Sequence, residues 1–144
     1  MQPQTYANHK RYVFLFHVVL FFMLVFTVIG SLVNVYESIG DHQRIYSASL
    51  IVVLSVSMLM LFFFSRGFAL RAQDRAIRAE ENLRHFAMTG KLLDPKLTMQ
   101  QILGLRFASN EEFLGLAKKA VDENLSNDAI KRAVKNWRAD HHRV

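Results

Sequence analysis

Residues 45–89 read IYSASLIVVLSVSMLMLFFF (45–64) and then SRGFALRAQDRAIRAEENLRHFAMT (65–89). The first part is apolar apart from small serines and the tyrosine near its start. The second part is charged and rich in good helix formers, and neither part contains proline. Nothing in the stretch interrupts a helix, so the spacing predicts a single helix over 45–89. At 1.5 Å per residue it is about 65 Å long, of which about 30 Å would lie in hydrocarbon.

Working outward, residues 12–36 form a second apolar run that brings the chain to this helix. The run exceeds the apolar region of a signal peptide, typically about 7–15 residues, so an uncleaved span is expected. Val28, Ile29, Gly30 and Ser31 supply the small residues a cleavage site needs, which makes cleavage there the alternative. Residues 37–44 are a short polar link with Gly40, and so short a link joins two spans only as an antiparallel hairpin. Lysine and arginine flank the outer ends of the pair, at Lys10 and Arg11 and from Arg66 onward, while the link is slightly acidic. Positive charge stays on the cytoplasmic side, so both termini are expected inside and the link outside.

The expected architecture is therefore an all-α membrane protein. Residues 1–11 are a cytoplasmic lead, 12–36 the first transmembrane helix, 37–44 an external link and 45–66 the second transmembrane helix. Residues 67–90 continue that helix into the cytoplasm, and 91–144 form a small helical domain. In the extension, Asp74 with Arg78 and Glu80 with Arg84 are i,i+4 pairs in the favourable order. Gly90 is placed to stop the helix in a left-handed turn, and Pro95 prevents its resumption. Three short helices follow. Thr98 with Gln101 and Ser109 with Glu112 each have capping-box spacing. Ser126 opens the third helix, with Ile130, Ala133, Val134 and Trp137 at i, i+3, i+4 and i+7.

The chain has 144 residues, no cysteine and a net charge of +6. Disulfides, thiolate metal sites and cysteine nucleophiles are thereby excluded. Lys10, Arg11, Arg66, Arg71, Arg75 and Arg78 lie beside the spans, where they suit anionic lipid headgroups. The residues from Lys91 onward mix both charge signs, which disfavours a nucleic-acid footprint. No phosphate loop, metalloprotease helix or nucleophile–base pairing is present, and His141 with His142 lack the helical spacing of metal ligands. A non-enzymatic role without a cofactor is expected, and no small-molecule substrate is evident.

Two patterns are candidates for function. Ala69, Ala72, Ala76, Ala79, Leu83 and Phe86 recur at alternating spacings of three and four, the seam of a helix that packs closely on another. Either the chain's own C-terminal helices or another chain could cover it. Carried back into the span, the same phase meets Ala48, Ile51, Ser55, Met58, Phe62 and Ser65. His17, Thr27, Ser31 and Asn34 are polar residues within the first span. They could line a polar path in an oligomer, or hydrogen-bond to the serines of the second span. His17 could also be a haem or metal ligand, or a near-interface histidine bonded to backbone. The leading expectation is an accessory subunit or scaffold of a membrane complex, contacting lipid and either a protein partner or itself. The alternatives are a component of an oligomeric transporter or channel and a membrane-tethered nucleic-acid-binding module.

The lead QTYANHKR (4–11) with His17, and the later stretches QDR (73–75), LRHF (83–86), TGK (89–91), LRFASNEE (105–112), ENLSNDAIK (123–131) and KNWRADHHR (135–143), carry a resemblance. Together they resemble a family of short, two-span bacterial membrane proteins classed as a domain of unknown function, some of them labelled transporter permeases. The resemblance covers almost the whole chain. It implies a multi-pass protein of the bacterial inner membrane and supplies no catalytic or binding residues.

Overall fold

The computed structural model describes residues 4–8 and 12–140. Every regular element among them is helical: a π-helical segment Leu15–Leu20, then α1 (Phe21–Glu37), α2 (His42–Thr89), α3 (Met99–Leu105), α4 (Asn110–Asp122) and α5 (Asn127–Ala133). The chain divides into two compact units. One is Tyr12–Phe68; the other combines Met1–Arg11 with Ala69–Val144. The long helix α2 is common to both.

In the unit Tyr12–Phe68, α1 ends at Ser38, whose N–H and Oγ both donate to the Asn34 carbonyl, at 3.1 and 2.7 Å. Gly40 then takes φ +95°, which glycine adopts without steric cost. Asp41 starts α2, accepting from the N–H groups of Gln43 (3.0 Å) and Arg44 (3.2 Å). This cap places the helix start at His42, three residues before the apolar run. The two helices touch through small and aromatic residues. Ser31 Oγ lies 3.0 Å from Ser55 Oγ, and the rings of Phe16 and Phe62 stack at 4.5 Å. Ala48, Ser31 and Ser55 are buried, so the α2 residues against the first span include Ala48, Ser55 and Phe62 of the expected phase. Ile51, Met58 and Ser65 of that phase are exposed instead. The π-helical opening of the first span has no signature in the sequence that we can identify.

In the other unit, α2 ends at Thr89. Gly90 has φ +71° and donates to the Phe86 carbonyl at 2.7 Å, the left-handed stop expected of it. Helix α3 opens with the full capping box: Thr98 Oγ1 accepts from the Gln101 N–H, and Gln101 Oε1 accepts from the Thr98 N–H at 2.8 Å. The same Gln101 is buried, and its Nε2 donates to the carbonyls of Ala120 (3.2 Å) and Leu125 (3.0 Å). It thus fastens the start of α3 to the end of α4. That end is a Schellman turn on Asn124 (φ +47°), with Leu125 donating back to Ala120 at 3.1 Å. Leu105, Phe107, Phe113, Ala120 and Ile130 are fully enclosed and form the core. Gly104 lets α3 approach α5, since a Cβ there would stand 3.1 Å from Ile130 Cγ2 and 3.2 Å from the Asn127 carbonyl.

Two local expectations fail here for one reason. Ser109 caps α4 by position, but its side chain makes no capping bond. Its expected partner, Glu112, instead accepts from the N–H groups of Lys135 (3.0 Å) and Asn136 (2.8 Å). Those donors are turned away from helical bonding, so α5 stops at Ala133 and Val134 is extended. Trp137 is therefore not on the helix. It forms an antiparallel bridge with Ala108, flanked by Ser109 N–H to Asn136 O (3.1 Å) and Arg138 N–H to Phe107 O (2.8 Å). Its ring packs on Phe107 at 4.8 Å.

Candidate interaction surface

From Ala69 onward α2 has two unlike faces. The inward face carries Ile77 and Glu81, both buried. Arg84 holds the small domain to this face. Its guanidinium pairs with Glu81 at 3.1 Å, donates to the Ala108 carbonyl at 2.8 Å and to Asn110 Oδ1 at 2.7 Å, and lies 4.2 Å over the Phe113 ring. Arg138 adds a second cation to Glu81 at 3.5 Å. Arg84 thus bonds across to the domain and pairs with Glu81, not with the expected Glu80. Beside them, Asn82 Oδ1 accepts from the Leu93 N–H, and His85 Nδ1 lies 2.7 Å from the Lys91 carbonyl.

The outward face carries the seam. Ala72, Ala76 and Ala79 are exposed and Ala69 is half-buried. Leu83 is 67 % exposed and Phe86 51 % exposed. Ala108, Asn110, Phe113 and residues 138–140 lie against the adjacent stripe, and the seam beside it stays largely exposed. The signal for the covered stripe was in the sequence, as Leu70, Ile77 and Arg84 at seven-residue spacing. Its mixed composition hid it, because an arginine can serve as a docking residue when its partners wait on another element.

The basic residues divide by position. Arg66 lies 5.8 Å from the Phe16 ring centroid. Arg71, Arg75 and Arg78 are exposed and make no ion pair among the described residues. Lys10, Arg11, His141 and His142 lie outside the described residues.

The polar residues of the first span are not brought into one chain of contacts. His17 sits in the π-helical segment with Nδ1 2.9 Å from the Val13 carbonyl and its ring stacked on Tyr12 at 4.8 Å. Thr27 donates to the Met23 carbonyl of its own helix at 2.7 Å. Ser31 alone reaches the second helix, at Ser55. Ser47, Ser49 and Ser57 bond to their own helix backbone, and Asn34 is half-buried.

A second contact region was not foreseen. Gln4 accepts from the Asp140 N–H at 2.7 Å and donates to the Asp140 carbonyl at 3.4 Å. The Tyr6 hydroxyl donates to Asp128, and Arg132 pairs with Asp128 at 2.9 Å while lying 5.1 Å from the Tyr6 ring centroid. The Tyr6 hydrogen bond, with the Arg132 charge behind it, holds the Asp128 carboxyl below the usual carboxylate range. Tyr6, followed by Asp128, raises Arg132 in the same way. In the sequence the lead stands out only by its basic Lys10 and Arg11, since one glutamine and one tyrosine carry no local pattern.

The described structure is all-helical, with two helices, Leu15–Glu37 and His42–Thr89, long and apolar enough to cross a membrane. That is the class to which the fold assigns it. The chain belongs to a family of unknown function (DUF6526), whose model matches residues 1–144. No curated protein and no solved structure matches it.

Proposed function

We propose that the protein is a non-enzymatic subunit or scaffold of a membrane complex. In this reading both apolar helices span the bilayer as an antiparallel hairpin, and the second continues into the cytoplasm. Several features support the membrane part. In their most apolar 18-residue windows, the first helix is 6 % and the second 11 % buried by the chain itself, far too little for the core helices of a soluble protein. Phe16, early in the first span, meets Phe62, late in the second, while Ser31, late in the first, meets the earlier Ser55, the reversed order that a hairpin requires. The lead bonds to Asp128 and Asp140 within one compact unit, and two spans lie between them. An even number of crossings returns the chain to the side it started from, so both termini share a compartment. The flanking Lys10, Arg11, Arg66, Arg71, Arg75 and Arg78 support the cytoplasm as that side. In this reading the membrane is a bacterial inner membrane, in line with the resemblance carried by the sequence.

One observation carries the functional part: beyond the spans, α2 exposes Leu83 and Phe86 in line with Ala72, Ala76 and Ala79. An apolar stripe on an otherwise charged helix marks a site of protein contact. The test is purification of a tagged chain from gently solubilised membranes, with Ala72→Arg and Ala76→Arg combined. Loss of the co-purifying protein or second copy, at unchanged thermal stability, is the expected result. Retention of every bound chain in this variant overturns the reading.

A further inference from the structure

We propose that a second copy of this chain occupies the seam of α2, packed parallel and in register. The inference rests on the scaffold reading and names its partner. Ala69, Ala72, Ala76, Ala79, Leu83 and Phe86 hold a 3.5-residue repeat, with Ala69, Ala76 and Leu83 at one core position and Ala72, Ala79 and Phe86 at the other. Copies inserted in one bilayer share one topology, so their long helices emerge side by side and point the same way. A two-fold axis along the membrane normal then sets each seam residue opposite itself at the same depth. Glu81 and Arg84 anchor the small domain away from the seam, and although residues 138–140 border it at Ala76 and Glu80, Ala72, Ala76, Ala79, Leu83 and Phe86 all stay exposed.

Charge selects the same geometry. In this heptad phase Arg75 flanks the core on one side and Glu80 flanks it on the other, five residues further on. That is the spacing at which flanking residues meet across a parallel pair. Both are exposed, and neither makes an ion pair among the described residues. A parallel dimer therefore joins Arg75 of each copy to Glu80 of the other. In an antiparallel pair like positions face each other: Arg75 meets Phe68, Arg75, Asn82 or Thr89, and Glu80 meets Arg66, Gln73, Glu80 or Ala87. Only Arg66 matches an acid with a base, and it lies at the end of the apolar run, where chains of one topology do not meet head to tail.

The absence of cysteine makes the test direct. Full-length chains with Ala76→Cys, Ala79→Cys or Arg78→Cys are oxidised in intact membranes and run without reductant. A band at twice the chain mass is expected from Ala76→Cys and Ala79→Cys and not from Arg78→Cys. Adding Arg75→Glu to Ala76→Cys is expected to lower the dimer fraction severalfold, and adding Glu80→Arg as well is expected to restore it. Inserted protein giving no dimer at either seam position, equal dimer at Arg78→Cys, or no restoration by the charge swap overturns the proposal. A tagged chain that still holds a different protein through the seam, without self-cross-linking, removes the self-pairing and leaves the scaffold reading. Loss of both removes both.

Discussion

The Arg84 guanidinium lies 4.2 Å above the ring of Phe113, so one side chain of the long helix is seated directly on the enclosed core of the small domain. The same guanidinium neutralises Glu81, which is 3 % exposed. Removing it leaves a buried carboxylate with only the more distant and largely exposed Arg138. Arg84→Ala is expected to destabilise the domain by about 3 kcal/mol, the scale of breaking a buried pair from one side. Arg84→Lys recovers little, because an ammonium cannot bond Ala108, Asn110 and Glu81 at once while lying flat on a ring. Thermal unfolding of the detergent-solubilised chain, followed by circular dichroism, reads both.

Glu112 and the single tryptophan provide a second test. The Glu112 carboxylate holds the N–H groups of Lys135 and Asn136, which brings Trp137 onto Phe107. Glu112→Ala is expected to cost about 2 kcal/mol, as for hydrogen bonds to a charged acceptor. The Trp137 emission should shift to the red as the bridge to Ala108 loosens. Unchanged emission would show that the bridge stands without the carboxylate.

Gly104 and Gly115 predict opposite signs for one substitution. Alanine gains up to about 1 kcal/mol over glycine within a helix. At Gly115 nothing lies within 4 Å of the new methyl, so Gly115→Ala is expected to stabilise by roughly that amount. At Gly104 the methyl meets Ile130 and the backbone carbonyl of Asn127, and overpacking of this kind costs about 1–3 kcal/mol. Gly104→Ala is expected to lower the melting temperature while Gly115→Ala raises it.

The lead should release in acid. Asp128 is depressed by the Tyr6 hydroxyl and then by Arg132, so its contribution is fully present above the ordinary carboxylate range. It is lost as pH falls through the lowered value, below about pH 4. The raised Arg132 is fully charged throughout that window and adds no loss there. The protection of residues 5–8 against hydrogen exchange, taken relative to an unstructured peptide at the same pH, is expected to fall below about pH 4. Tyr6→Phe should abolish this pH dependence, because the lead no longer bonds Asp128.

Features fixed by neighbours in sequence were legible. The Thr98–Gln101 box, the Ser126 cap and the Gly90 stop each depend on residues no more than four apart, and each is present. The length of α2 was legible for the same reason, since no breaker falls within it. The Ser109–Glu112 pattern is as good locally, yet Glu112 is taken by donors 23 and 24 residues away. Periodicity identified the seam but could not say which of two adjacent stripes the small domain covers. That choice depends on Arg84 finding Ala108, Asn110 and Phe113, all beyond the reach of a helical repeat.

Gln4 bonds both polar groups of the Asp140 peptide backbone, 136 residues away, and so closes the polypeptide into a noncovalent ring. Closing a flexible loop of that length costs about 4 kcal/mol in chain entropy, more than two half-buried hydrogen bonds return. The ring can close only after the intervening helices have been placed and have shortened the loop. Its closure therefore follows the placing of both apolar helices, and a chain with one of them misplaced is expected to leave the Gln4–Asp140 bonds unmade.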